Sequence, residues 1–263
     1  MKLLLAVVKR LHRPAVCCSP RRALSSCAGS GGLLAAEGTD TALVVGSSQE
    51  LLHRIGSQVE VRTGFISEEE EEAFLRELEL GLKKKRYQFD HWDDAIHGYR
   101  ETERVRWGAE CEEVLTRVRS IAFAEGSPLL GPVHVLDLDK TGYIKPHIDS
   151  VKVNGQHLQQ LNSNNASCIF SLLLSDHLLI FQFCGTTIAG LSLLSDSIMR
   201  LVKEDASSEW LDMLLPRRSL YILRDQARYD FTHEILKDEE SVFNGQKVPR
   251  QRRIAVICRN LPG

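Results

Sequence analysis

His147 and Asp149 stand two residues apart in "YIKPHID". On a strand, positions i and i+2 face the same side, so one metal ion can reach both. A mononuclear Fe(II) oxygenase needs three protein ligands on one face of an octahedron, usually two His and one carboxylate, with the other face left open. His233, in "YDFTHEIL", is the expected third ligand. His-x-Asp is common by chance, and a core-facing His beside a surface Asp is the ordinary alternative. Two features favour the metal. Lys145-Pro146 precedes the pair, and a proline there interrupts regular strand pairing and predicts a bend. Downstream, "RRIAVICR" places Arg253 and Arg259 six residues apart on one strand face. An oxygenase that uses 2-oxoglutarate needs a cationic anchor for a dicarboxylate, and arginine supplies a bidentate one. Tyr221, in "SLYILRD", can add a hydroxyl to that carboxylate. Outside this context the two arginines would be rim salt bridges.

These groups must be held by a scaffold, and the pattern after Gly126 suggests which kind. Short apolar segments follow one another between turn residues: "PVHVLDL", "YIKPHID", "TIAGLSLL", "IMRLV", "WLDMLL", "SLYIL", "YDFTHEIL" and "RIAVICRN". Short strands without helical spacers predict an antiparallel barrel or sandwich of jelly-roll type. Before them, two helices are expected. "ISEEEEEAFLRELELGL" opens on Ser67 with Glu70 three residues later, a capping box, and Phe74, Leu75, Leu78 and Leu82 form its apolar stripe. A second helix is expected from about Thr102 to Ala124, with Trp107, Cys111, Val114, Leu115, Val118 and Ile121 on one face. The class is therefore α+β, mainly β, with N-terminal helices packed outside a double-stranded β-helix core.

The N-terminus has a different texture. Residues 1–36 hold six Lys or Arg and no Asp or Glu, mixed with Ser and small apolar residues. That is the composition of a mitochondrial transit peptide; a secretory signal is the rival, but Lys9, Arg10 and Arg13 cut its apolar run short. Residues 37–57 read as a linker, and the domain as 58–263. Without the leader, 27 of the 33 basic residues face all 35 acidic ones, a net charge of −8. Such a body does not hold nucleic acid by bulk charge. The cysteines include no CxxC pair, which excludes a zinc or disulfide framework.

His-x-Asp, a distal His in "RYDFTHEI" and "RIAVICR", in that order, resemble the AlkB family of Fe(II)/2-oxoglutarate-dependent dioxygenases, over roughly residues 58–261. The resemblance implies iron ligands His147, Asp149 and His233, and 2-oxoglutarate contacts at Tyr221, Arg253 and Arg259. It implies a jelly-roll core, and a mitochondrial matrix enzyme that couples decarboxylation of 2-oxoglutarate to C–H oxidation of a protein or small-molecule substrate. That branch of the family is linked to fatty-acid metabolism and programmed necrosis. Methylated mitochondrial RNA is the alternative substrate, and a non-catalytic iron/2-oxoglutarate-binding module the second alternative. A monomer with no membrane span is expected.

Several positions depart from nucleobase-repairing members. Val135-Leu136-Asp137-Leu138 stands where they carry Asn-x-Tyr. Ser150, Val151 and Lys152 follow His-x-Asp, where they place a base-reading acid. There is little room before Pro132 for a lid over a flipped base. Glu234 replaces a Gly after the distal His. "RYQFDHWDDAIHGYRE" offers Tyr87, Trp92 and Tyr99 either as stacking rings or as plain packing. "QKVPRQRR" reads as a phosphate contact or a solvated hairpin.

One segment fits neither scaffold nor site. The resemblance implies that "DSVK" runs straight into "FCGTTIAG", yet Val153–Gln182 intervene, 30 residues. They stretch the His147–His233 spacing to 86; without them it is 56. A valine codon begins with GT and glutamine can be CAG, so the segment is read as an in-frame retained intron. The alternative is a genuine loop, uncommon at such length unless functional.

Overall fold

The computed structural model describes residues 34–35, 43–89, 94–148 and 185–261. Asp149, Trp92, residues 1–33 and the segment 153–182 lie outside the described residues.

Two antiparallel sheets share one long strand, β5 (Val133–His147). Its first part pairs with β13 (Arg253–Arg259), which pairs in turn with β6 (Thr187–Leu193) and then β9 (Ser219–Arg224). Its second part pairs with β10 (Phe231–Ile235), followed by β7 (Ser197–Lys203) and β8 (Ala206–Leu215). Two four-stranded halves joined in this way make a jelly roll. Flanking strands extend the halves: β3 (Val59–Arg62) on β9, β2 (Val44–Gly46) on β8 with β1 (Leu34–Ala35) beyond it, and β4 (Ile96–Arg104) along the other edge of β5. A small hairpin, β11 (Val242–Phe243) and β12 (Gln246–Lys247), lies apart from the sheet path.

The passage of β5 from one half to the other has a local cause. Opposite Gly98 the register jumps from Leu138 to Tyr143, so residues 139–142 bulge out of the ladder. Gly98 has φ +62, and Gly142 lies so close that a Cβ on Gly98 would be 2.9 Å from its Cα. Only glycines permit both the backbone angle and the approach. A second bulge falls where proline predicts it: β10 pairs Ile235 with Ile144 and His233 with His147, leaving Lys145 and Pro146 opposite a single residue.

Helices cover the outside. Ser67 and Glu70 form the expected capping box at the start of α2 (Glu68–Leu82), and Phe74, Leu78 and Leu82 are buried. α3 (Ala109–Ala122) is shorter than the sequence suggests. Thr102–Arg104 belong to β4, paired with Val135–Val133, because ladder hydrogen bonds outweigh the modest helix propensity of this charged stretch. α2 and α3 pack on the outer face of β5, β13, β6 and β9, while the inner face closes a second core inside the roll. Strands covered on both faces bury every residue, as β6 does throughout. This is why "TIAGLSL" is continuously small or apolar rather than alternating.

The stretch read as a linker is part of the fold. β2 pairs with β8, and α1 (Gln49–Ile55), capped by Ser48, buries Leu51, Leu52 and Ile55. Its two turns are too short for periodicity to stand out from the polar residues around it. A last short helix, α4 (Asp225–Tyr229), precedes β10. No helix among the described residues is long and apolar enough to cross a membrane.

Candidate active site

A cavity of about 80 Å³, open to solvent, runs between the two halves of the roll. His147, His233, Tyr221, Arg253 and Arg259 all line it. Five of the six site residues expected from sequence therefore converge, and the sixth, Asp149, lies outside the described residues. Alternation explains the convergence. On β13, residues 253, 255, 257 and 259 face inward, so Arg253 and Arg259 stand along one wall.

His147 and His233 are direct cross-strand partners on β5 and β10. Their rings lie 4.4 Å apart between centroids, tilted by 54°. His147 Nδ1 sits 3.0 Å from the Lys145 carbonyl, inside the proline bulge. A carbonyl only accepts, so Nδ1 carries the proton and Nε2 is left with its lone pair. That is the tautomer a metal requires, and a carbonyl behind the ring is the usual way of holding it. Among the described residues no cluster of three or more His, Cys, Asp or Glu gathers. Glu234, next to His233, also lines the cavity, and burial pushes its carboxyl above the ordinary value.

Away from the imidazoles, Arg253 is almost completely buried, at 1% exposure. Its Nε donates to Ser192 Oγ at 3.2 Å, and it is hydrogen-bonded to the Tyr221 phenol. Burial pulls its guanidinium below the ordinary arginine value, with Tyr221 acting in the opposite sense. Its Nη2 has no hydrogen-bond partner among the described residues. A buried guanidinium with an idle N–H group is costly unless an anion completes it. One carboxylate would do so, since it accepts from a guanidinium in a bidentate fork.

Gly190 makes the Tyr221 position possible, and the sequence reading overlooked it. A Cβ on Gly190 would overlap the phenol, lying 2.6 Å from Cε1 and closer still to Cζ and the hydroxyl. Gly190 is the cross-strand partner of Tyr221, so the ring lies flat over the missing side chain and sends its hydroxyl to Arg253. His134 and Glu101 were also missed. His134, inside "PVHVLDL", has the inward parity of Leu136 and lines the cavity.

Two stretches with open readings are resolved by their contacts. Tyr99 is buried with its hydroxyl donating to Gln88, and Tyr87 donates to Asp137 while Arg100 lies over its ring. Both rings are packing, not stacking platforms. "QKVPRQRR" divides: Gln246 and Lys247 form the exposed strand of the small hairpin, as one reading expected, while its arginines make internal contacts. Arg250 is buried and binds the carbonyls of Leu236 and Gly142; burial, with Arg253 close by, pulls its guanidinium down to about 10. Arg252, of opposite parity to Arg253, pairs with Asp137 and Glu79 outside the cavity. Internal carbonyls and carboxylates claim charges that a linear reading assigns to solvent.

No family model matches the chain. Its relatives are informative. It is 50% identical to the mitochondrial alpha-ketoglutarate-dependent dioxygenase alkB homolog 7 of Bos taurus, over 83% of this chain and 86% of that protein. Identity to the Mus musculus protein of the same name is also 50%, over 84% and 86%. An 80-residue match at 42% identity links it to the uncharacterized protein L905 of Acanthamoeba polyphaga mimivirus. A solved Pseudomonas putida prolyl-4-hydroxylase superposes with TM-score 0.49 at 10% identity, over 81% of this chain and 96% of that one. The strand pairing and the two named relatives define the class, a jelly-roll dioxygenase. Within it, the chain belongs to the AlkB family of alpha-ketoglutarate-dependent dioxygenases.

Proposed function

We propose that the protein is a mitochondrial matrix Fe(II)/2-oxoglutarate-dependent dioxygenase that oxidises a C–H bond of a protein or small-molecule substrate. The observation that carries this is Arg253: a buried guanidinium with an unfilled N–H, held by Tyr221 and Ser192, in the cavity wall that also presents two imidazoles.

In this reading His147, His233 and Asp149 hold the iron. Tyr221 and Arg253 would hold the far carboxylate of 2-oxoglutarate, and Arg259 would be a further contact to it. With cosubstrate and O2, the iron supplies the oxidation, and 2-oxoglutarate leaves as succinate and CO2. The protein positions and excludes. The Lys145 carbonyl keeps the His147 tautomer. The apolar walls formed by Ile144, Met199 and Ile257 limit water around the reacting groups. The relatives are named mitochondrial, and the basic leader supports the matrix as the compartment; the link to fatty-acid metabolism and programmed necrosis rests on the resemblance alone. A protein or small molecule is favoured over RNA because the described aromatic and basic candidates for base and phosphate contacts are used internally.

The same reading takes residues 153–182 as a retained intron and 1–36 as a cleaved leader. Transcript sequencing decides the first: mature messages that mostly encode 153–182 would end it. Succinate release with Fe(II) and 2-oxoglutarate, with and without 153–182, tests the chemistry. His147→Ala should abolish turnover, and retained turnover would sink the ligand assignment. Arg253→Lys should raise the KM for 2-oxoglutarate about tenfold or more, since an ammonium cannot reproduce the fork.

A further inference from the structure

His134 sits on the cavity wall between two charged groups of opposite sign. Its Nε2 lies 2.9 Å from Glu101 Oε2, and its Nδ1 lies 3.4 Å from Arg259 Nη1. The elements that bring them together are adjacent. β4 carries Glu101 beside the His134 strand, and β13 carries Arg259 on the other side. A guanidinium has donors only and a carboxylate is an acceptor only. The two contacts therefore choose one imidazole tautomer: Nε2–H donates to Glu101, and Nδ1 accepts from Arg259. The imidazole is neutral in that arrangement. It orients the guanidinium without cancelling its charge, as a carboxylate in the same place would. Glu101, from the rim, stops the ring from turning.

We infer that His134, oriented by Glu101, is a positioning residue for Arg259, aiming that guanidinium into the cavity for the anionic cosubstrate. The inference rests on the reading that the cavity binds 2-oxoglutarate. His134 touches neither metal nor cosubstrate in this scheme; it acts through Arg259.

The test is direct binding of 2-oxoglutarate to the full chain loaded with Mn(II), followed by calorimetry, with thermal melting as a check on folding. His134→Ala should weaken binding about tenfold, the worth of one charge-assisted hydrogen bond lost at second hand. His134→Asn places an amide oxygen near the Nδ1 position and should recover most of that loss. Glu101→Ala should show a smaller defect, and the double variant H134A/E101A should bind no more weakly than H134A, since Glu101 works only through the imidazole. Wild-type affinity in H134A, equal weakness in H134N and H134A, or additive losses in the double variant would each overturn the inference. If H134A fails to fold, E101A carries the test alone, because its carboxylate sits on the rim; unchanged affinity there overturns it as well. Failure of the wild-type chain to bind 2-oxoglutarate would instead strike the proposed function itself.

Discussion

Replacing Gly190 with alanine adds one methyl group at the point where the proposed cosubstrate anchor is most tightly built. The new Cβ would stand 2.6 Å from Tyr221 Cε1, against 3.4 Å or more for an ordinary contact. The ring must therefore withdraw by on the order of 1 Å, and it cannot do so while its hydroxyl stays on Arg253. Two costs follow. Overpacking destabilises the roll by about 1–3 kcal/mol. Losing the phenol from a charged site costs about 1.5–3 kcal/mol in binding, or about 10- to 150-fold in affinity for 2-oxoglutarate. The assay is the KM for 2-oxoglutarate in succinate release, paired with calorimetric binding to the Mn(II) protein. Y221F separates the two effects: it keeps the ring and removes only the hydroxyl, so affinity should fall as in G190A while the melting temperature stays closer to wild type. A G190A protein with wild-type stability and wild-type affinity would refute the cradle, and with it the assignment of Tyr221 to the anchor.

Other expectations follow from the same structure. Asp137 is fully buried and accepts from Arg100 at 2.7 Å, from Arg252 at 2.8 and 3.0 Å, and from Tyr87 at 3.2 Å; Asp137→Asn should cost about 3 kcal/mol in urea unfolding, because two guanidiniums lose their counter-charge. Unchanged stability would show that water or Glu79 compensates. Arg117 holds the Glu70 carboxyl below its ordinary value of 4.5, with the Ser67 backbone adding to the effect. The group gains stability when ionised, so the contribution is complete above pH 4.5 and fades as pH falls through the lower folded value. Glu70→Gln should flatten the acid limb of stability below pH 4.5; an unaltered limb would place its origin elsewhere. Burial pushes the Cys111 thiol up to about 12 and the Cys258 thiol up to about 11. Neither should be alkylated by iodoacetamide in the native protein at pH 8, and rapid labelling of either, read by mass spectrometry, would contradict its burial.

Much of this molecule is legible in the chain because the relevant physics is local. The Ser67–Glu70 box, the stripe of α2 and the alternation of β13 depend on residues within a few positions of one another. The parity that sends Arg253 and Arg259 inward is of the same kind. So is the bend at Pro146, which forbids a ladder bond whatever lies opposite. The order His-x-Asp, His, Arg-x5-Arg adds chemistry to that parity, and the relatives bear out the family it points to. What the sequence could not decide depends on which strand lies alongside which. Thr102–Arg104 read as helix until β5 supplies their hydrogen bonds. Residues 44–55 read as linker until β8 and the inner core give them partners. Arg250 and Arg252 read as solvated charge until the carbonyls of Leu236 and Gly142 and the carboxylate of Asp137 enclose them. Gly190 looks like any small strand residue until Tyr221 lies across it. Parity tells which way a side chain points, and only the tertiary pairing tells what it meets there.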